Sequence, residues 1–291
     1  MEQTAANEVS LKACTASRLR YDGDNLIVYA NSVKRLIVLL LISTFFFANT
    51  ASARKSVYVA AYDFPPFFSD RLETDVTREL IKLLNNYQTT YEFILQAIPP
   101  NGRYEALSES GCCDVMFFES TFWGWQNRDV KVSSTVPLLQ GRERLVALQD
   151  GKKDQGYFDN LEGKVLGGVK GYHYLMAGEQ MNSAEVAERY RVYLSDSRIT
   201  NLRMLVGGRI DAAVVNDELL AALKNSSVDY LDKLLISDRI EQQYKVAIVV
   251  GENEKISVET MQQLMREVAR QGLLDRLFAR FNLQRFQLYR R

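Results

Sequence analysis

Strands and helices alternate along most of this chain, and the alternation limits its fold more than any other feature of the sequence. Residues 57–61 resemble a first strand, and the apolar positions of residues 76–87 recur at helical spacing. Residues 91–98 are predicted to be a further strand and residues 114–118 a buried strand run, and a similar series of strands and helices follows over residues 161–223. This order predicts an α/β fold in which ligand-binding loops lie at the ends of strands.

Two long extended stretches, residues 138–148 and 244–250, separate the two series. We therefore predict two lobes joined by two hinge crossings, with a ligand bound in the cleft between them. In this prediction residues 54–141 and 245–291 form lobe 1, and residues 142–244 form lobe 2.

Three further segments are predicted to be helical from the spacing of their apolar residues. They are residues 103–110, which Gly111 ends, residues 174–181, and residues 258–281 with a break near Gly272.

The N-terminal region has the pattern of an export signal. Lys34 and Arg35 precede an apolar run over residues 36–47, and the small residues Ala51-Ser-Ala53 follow. The run is shorter than the roughly 20 residues that a membrane-spanning helix needs, so a retained anchor is the weaker alternative. We interpret residues 33–53 as a signal peptide cleaved near Ala53, and residues 1–32 as an extension that is not part of the native protein. No cysteine for lipid attachment follows Ala53, which predicts a soluble periplasmic product.

Charge and cysteine usage exclude several classes of protein. The chain has 36 basic and 36 acidic residues, of which residues 1–53 hold 5 and 4, so the remainder carries a net charge of −1 and no nucleic-acid partner is expected. His173 is the only histidine, and Cys112 and Cys113 are adjacent, so we predict no metal site. The two cysteines are either small, partly buried residues or a disulfide formed in an oxidising compartment. We predict no cofactor, because the glycines near residue 165 lack nucleotide-loop spacing.

Five motifs, in a fixed order, resemble the extracellular solute-binding proteins of family 3, which bind polar amino acids for ABC transporters. The motifs lie within residues 57–67, 104–115, 128–134, 160–171 and 205–215. The resemblance covers about residues 56–285 and implies the two-lobed periplasmic binding protein type 2 fold.

The resemblance also implies roles for individual residues. In the family, an arginine of lobe 1 holds the ligand carboxylate, an acid of lobe 2 binds the ammonium group, and an aromatic residue of the first turn covers the side chain. Backbone N–H groups near a helix start in lobe 2 assist the carboxylate. The matching positions are Arg128 for the carboxylate, Phe64 for the aromatic residue, Gly171 and Tyr172 for the anion loop, and Asp217 for the ammonium partner, with Asn216 competing for that position.

The sequence departs from the family between residues 118 and 125. Glu119 ends a buried strand run, and Trp123 and Trp125 follow it closely. A carboxylate and two indoles near the binding site can reshape the pocket for an aromatic, cationic or larger ligand. Tyr62, beside the first turn, is a further candidate.

Ordinary structural roles remain open for all of these candidates. Phe64, Tyr62 and the tryptophans can belong to the core, Glu119 and Arg128 to surface loops, and Asp217 to a helix N-cap.

The expected function is capture of a small solute, an amino acid or related amine, by hinge closure. We expect a monomer that delivers the solute to the membrane permease of an ABC transporter and has no catalytic residues. Two alternatives stay open: a dehydratase-like enzyme of the same fold that uses Glu119 as an acid or base, and a ligand-sensing partner of a membrane receptor.

Overall fold

The computed structural model describes residues 53–176, 179–226, 228–252 and 255–289. Apart from Ala53, the predicted signal peptide and the extension before it lie outside the described residues. Within the described ranges, no helix has both the length and the apolar character that crossing a membrane requires.

The described part of the chain contains both strands and helices. The strands are β1 (Lys55–Ala61), β2 (Tyr91–Ala97), β3 (Val115–Glu119), β4 (Val132–Ser134), β5 (Leu139–Leu148), β6 (Leu166–Val169), β7 (His173–Met176), β8 (Glu179–Asn182), β9 (Val192–Ser195), β10 (Ala212–Asn216), β11 (Leu234–Ile236) and β12 (Gln242–Gly251). The helices are α1 (Val76–Tyr87), α2 (Arg103–Ala106), α3 (Ser183–Arg189), α4 (Arg198–Val206), α5 (Asp217–Leu223), α6 (Val258–Arg270) and α7 (Leu273–Arg280).

Ten of these strands form one sheet in the order β2-β1-β3-β12-β5-β10-β6-β9, with β4 on β12 and β11 on β5, and β7 and β8 form a separate two-stranded sheet. Strands β1, β2 and β3 are parallel to one another, as are β10, β6 and β9. The helices between these strands are the crossovers that parallel pairing requires, so the predicted α/β class is confirmed.

Strand β12 changes partner along its length. Its first half, Gln242–Val246, pairs antiparallel with β5, and the residues from Ala247 to Gly251 pair with β3 and β4. The change lies beside the predicted lobe boundary at residue 245, although the division into 54–141 with 245–291 and 142–244 remains a prediction.

The local sequence explains the helix boundaries that match the predictions. The Asp75 side chain accepts a hydrogen bond from the Arg78 backbone N–H and caps α1, whose apolar residues Val76, Leu80 and Leu84 are fully buried. Gly272 separates α6 from α7 in a left-handed conformation, at the predicted break.

Two helix predictions were wrong in length or type. The helix predicted over residues 103–110 ends at Ala106. No helix forms at the described residues 174–176 and 179–181, because His173–Met176 pairs antiparallel with Glu179–Asn182 as a hairpin. Gly178, a poor helix former, weakens the helical alternative there, and the short apolar run was ambiguous between the two periodicities.

The adjacent cysteines form a disulfide between Cys112 and Cys113, the second of the two alternatives that the sequence left open.

Candidate functional site

A small cavity lies where the two halves of the sheet meet. Its aromatic wall consists of Tyr62, Phe64, Trp123 and Tyr172, and its polar wall consists of Arg103, Glu143, His173, Arg198 and Gln242. The cavity volume is about 20 Å³, enough for on the order of one water molecule. In this conformation the side chains themselves fill most of the space between these two walls.

The aromatic wall is a continuous cluster centred on Phe64. Its ring lies 5.4 Å from that of Trp123, 6.2 Å from that of Tyr172 and 6.3 Å from that of Tyr62. Tyr244 packs on the cluster from outside, 5.1 Å from Trp123. Phe64, Tyr62, Trp123 and Tyr172 were all predicted site residues, and the structure brings them together around this one cavity.

Arg198 is the central charged group of the cavity. It is 1% exposed and lies at the start of α4, where Ser197 is the N-cap. One guanidinium nitrogen donates to Oε1 of Glu143, and the guanidinium plane lies 4.9 Å from the Phe64 ring and 4.6 Å from the Tyr172 ring. Within the described residues, Nε and Nη1 of Arg198 and Oε2 of Glu143 have no hydrogen-bond partner.

Arg103 is a second buried arginine on the opposite side of the cavity. Its Nη1 donates to the carbonyl oxygens of Pro100 and Gly171, and its Nη2 donates to the hydroxyl of Tyr104 at 2.8 Å and lies 3.2 Å from Nδ1 of His173. Its Nε has no partner among the described residues. The bond to Gly171 fixes the predicted anion loop against α2.

The side chains that line the cavity carry more positive than negative charge. Burial, with the nearby cations Arg103 and Arg128, lowers the pKa of His173, so the imidazole is neutral at pH 7. Two guanidinium groups therefore face one carboxylate, Glu143, and the balance favours an anionic group in a ligand.

Glu119 and Trp125 lie behind the cavity wall. The Glu119 carboxylate is fully buried and accepts hydrogen bonds from the Tyr62 hydroxyl at 2.8 Å, the Ser120 backbone N–H at 3.0 Å and the Trp125 indole at 3.3 Å. Burial raises the pKa of Glu119 above its usual range. The carboxylate reaches the cavity only through Tyr62, whose orientation it fixes.

Arg128 and Asp217 do not line the cavity. Arg128 is exposed and its guanidinium stacks 4.7 Å from the ring of Tyr104. Asp217 is the first residue of α5 and accepts hydrogen bonds from Nε of Arg144 at 3.0 and 3.2 Å. The N-cap is Asn216. The ligand roles assigned to Arg128 and Asp217 stay predictions.

The loop at Gly171 and Tyr172 differs from the expected form. Strand β7 follows it, so no helix start supplies backbone N–H groups there. Tyr172 instead lines the cavity with its ring and donates its hydroxyl to the Asp63 carbonyl oxygen.

Sequence reasoning missed Arg103, Arg198 and Glu143. For Glu143 a signal exists: alternation along β5 places it on the same face as the buried residues Leu139, Gly141 and Leu145. The burial of the arginines depends on how distant segments pack, and no local pattern indicates it.

Glu218 forms a buried pair with Tyr244 beside the strands that connect the two halves of the sheet. Its Oε1 accepts the Tyr244 hydroxyl at 2.7 Å, and Gly141 leaves the space for this bond, because a Cβ there would overlap both side chains. Burial raises the pKa of Glu218 to about 7.

No family model and no curated relative matches this chain. Solved structures do match it. The substrate-binding protein of an amino acid ABC transporter matches with a TM-score of 0.58 and 18% identity, covering 78% of this chain and 98% of that one. The GluR0 ligand-binding core of Nostoc punctiforme with L-glutamate matches with a TM-score of 0.59 and 16% identity, covering 77% and 98%.

An ancestral amino acid-binding protein, a precursor of cyclohexadienyl dehydratase, also matches, with a TM-score of 0.58 and 14% identity over 78% of this chain and 95% of that one. At these identities the matches establish the fold. The chain has the two-lobed periplasmic binding protein type 2 fold, as the sequence predicted.

Proposed function

We propose that this protein is a solute-binding protein that closes around a small carboxylate-bearing solute, an amino acid or a related compound. The observation that carries the proposal is the set of unpartnered polar atoms in the cavity, Nε and Nη1 of Arg198, Nε of Arg103 and Oε2 of Glu143. A buried donor or acceptor without a partner costs about 1–3 kcal/mol, more when charged. A ligand carboxylate would satisfy the arginine donors, and a ligand ammonium would satisfy Glu143.

Arg103, Arg198 and Glu143 take the polar roles in this proposal. Phe64, Tyr62, Tyr172 and Trp123 form the apolar walls, and Gly171 holds Arg103 through its carbonyl oxygen. Because the cavity has room for about one water molecule, a solute enters only after the halves separate, and closure follows binding.

The proposal also covers the transporter that receives the solute and the absence of catalysis. Amino acid ABC transporters use the substrate-binding proteins whose structures match this chain. We therefore propose a periplasmic monomer that passes its solute to a transporter permease and catalyses no reaction. The dehydratase alternative uses Glu119 as its acid or base, and the Glu119 carboxylate does not line the cavity but is engaged by three donors behind the wall.

A thermal-shift screen of amino acids, polyamines and small carboxylates tests the proposal. A ligand that binds only the native state at 100 times its dissociation constant adds about 2.7 kcal/mol, which raises the melting temperature by roughly 5–10 °C for a chain of this size. Arg198→Lys keeps the charge but loses the planar fork, so we expect at least tenfold weaker binding by calorimetry.

Arg209→Lys, at an exposed position, is the matched control and should bind as the wild type does. Loss of the ligand-induced shift in Arg128→Ala, with Arg198→Lys unaffected, would move the carboxylate site to Arg128. If no amino acid or small carboxylate in the screen raises the melting temperature, the proposal is wrong, and a shift by polyamines alone would contradict a carboxylate site.

A further inference from the structure

A groove of about 510 Å³ opens directly beside the cavity, and Trp123 and Gln242 line both. The groove is lined by the first residues of β12, by Gln140 of β5 and by the loop that follows β3, where Phe122 is 78% exposed. The cavity and the groove are therefore two parts of one cleft, a small charged part and a larger open part.

The groove differs chemically from the cavity. Four glutamines line it, Gln126, Gln140, Gln242 and Gln243, and none of their side chains makes a hydrogen bond to another residue in the described part of the chain. Each carboxamide offers two donor hydrogens and an acceptor oxygen without a charge. Such groups pair with amides in a ligand.

The other residues that line the groove further limit the kinds of ligand group that can bind there. Phe122, Trp123 and Tyr244 provide aromatic surface against which a planar amide or an apolar chain can pack. Lys245 is the only charged residue of the lining. A cationic ligand group would be repelled by Lys245 and would find no carboxylate in the groove, so the part of the ligand in the groove carries no positive charge.

We infer that the cleft takes an N-acylated amino acid, with the carboxylate at Arg103 and Arg198 and the acyl amide portion in the groove. This inference rests on the proposed function. Acylation replaces the ammonium by an amide N–H, which can still donate to Oε2 of Glu143 while removing the positive charge near Lys245. An N-acylated amino acid also fits the sizes of the cavity and the groove. Its carboxylate needs little room in the cavity, and the bulk of the solute lies in the groove.

Isothermal calorimetry on the full chain with matched compounds tests the inference. Each of the twenty free amino acids is compared with its acetylglycyl derivative, which adds two amides, and with the same derivative blocked as a C-terminal amide. We expect the acetylglycyl derivatives to bind at least tenfold tighter than the free amino acids, and the blocked compounds to lose that affinity.

Groove variants separate the two subsites. Phe122→Ala and Gln243→Ala alter exposed side chains and should weaken the acetylglycyl compounds severalfold while leaving free amino acids unchanged. Gln96→Ala, an exposed glutamine of β2 outside the groove, should change neither.

The possible failures are distinct. If free amino acids bind and their acetylglycyl derivatives bind no tighter, the inference falls and the proposed function stands. Equal weakening of both compound classes by the groove variants also overturns the inference. If neither class binds, the inference is wrong, and the proposed function is wrong as well when the small carboxylates of the thermal-shift screen also leave the melting temperature unchanged.

Discussion

Replacing Arg198 with methionine should lower the free energy of unfolding by about 3–5 kcal/mol. The substitution leaves the Glu143 carboxylate, itself 3% exposed, without the guanidinium that neutralises it. It also removes the cation that lies against the rings of Phe64 and Tyr172. Urea denaturation measures the change.

The double variant Arg198→Met/Glu143→Leu provides the internal check. Replacing both members of a buried ion pair by apolar residues is often neutral or stabilising, so the double variant should recover most of the loss. Arg209→Met, at an exposed arginine, should change the free energy of unfolding by less than about 0.5 kcal/mol. A loss below 1 kcal/mol in the single variant would contradict a buried pair, because breaking such a pair leaves an uncompensated buried charge at a cost of about 3–5 kcal/mol.

The second large effect is a dependence of stability on pH that comes from Glu218. Its pKa is raised from 4.5 to about 7 in the folded protein, so the folded state holds this proton more tightly than the unfolded state. The resulting stabilisation is complete below pH 4.5 and is lost as the pH rises to about 7, a total of about 3 kcal/mol.

Glu218→Gln should remove this dependence, since glutamine cannot ionise and its side-chain oxygen can still accept the Tyr244 hydroxyl. The measurement is the free energy of unfolding of both proteins between pH 4 and pH 8. Other buried carboxyls with raised pKa values, such as Glu119 and Asp63, contribute equally to both curves, so the difference isolates Glu218. Glu188→Gln, at an exposed position of α3, is the control, and parallel curves for wild type and Glu218→Gln would refute the prediction.

Much of the fold could be predicted from the sequence, because its signals are local. The alternation in β1, the helical spacing in α1 and the break at Gly272 each depend on neighbouring residues, and each prediction was confirmed. The hairpin at His173–Met176 was missed because its strands are only four residues each, too short for either periodicity to be decisive.

The site was harder to predict, for a physical reason. Aromatic residues such as Phe64 and Trp123 are recognisable as site candidates from their residue type alone, and both line the cavity. Arg103 and Arg198 look like ordinary surface arginines in sequence, and only the packing of distant segments buries them. The family motif predicts only that Arg128 occupies the position of the family's arginine along the chain. Which side chain of this segment enters the cavity depends on the path that the loop takes.

The partner change along β12 also has a consequence for how the chain folds. Val115 of β3 pairs with Val250, and Leu139 of β5 pairs with Val246. Both inner strands can therefore complete their pairing only after β12, which is more than 90 residues further along the chain, has been placed. Contacts between residues so distant in sequence slow folding, since the long loop must close before any pairing stabilises it. Before β12 pairs, β3 and β5 each expose an unpaired strand edge. A chain truncated before residue 242 would therefore be prone to aggregate and would not fold into a stable half of the sheet.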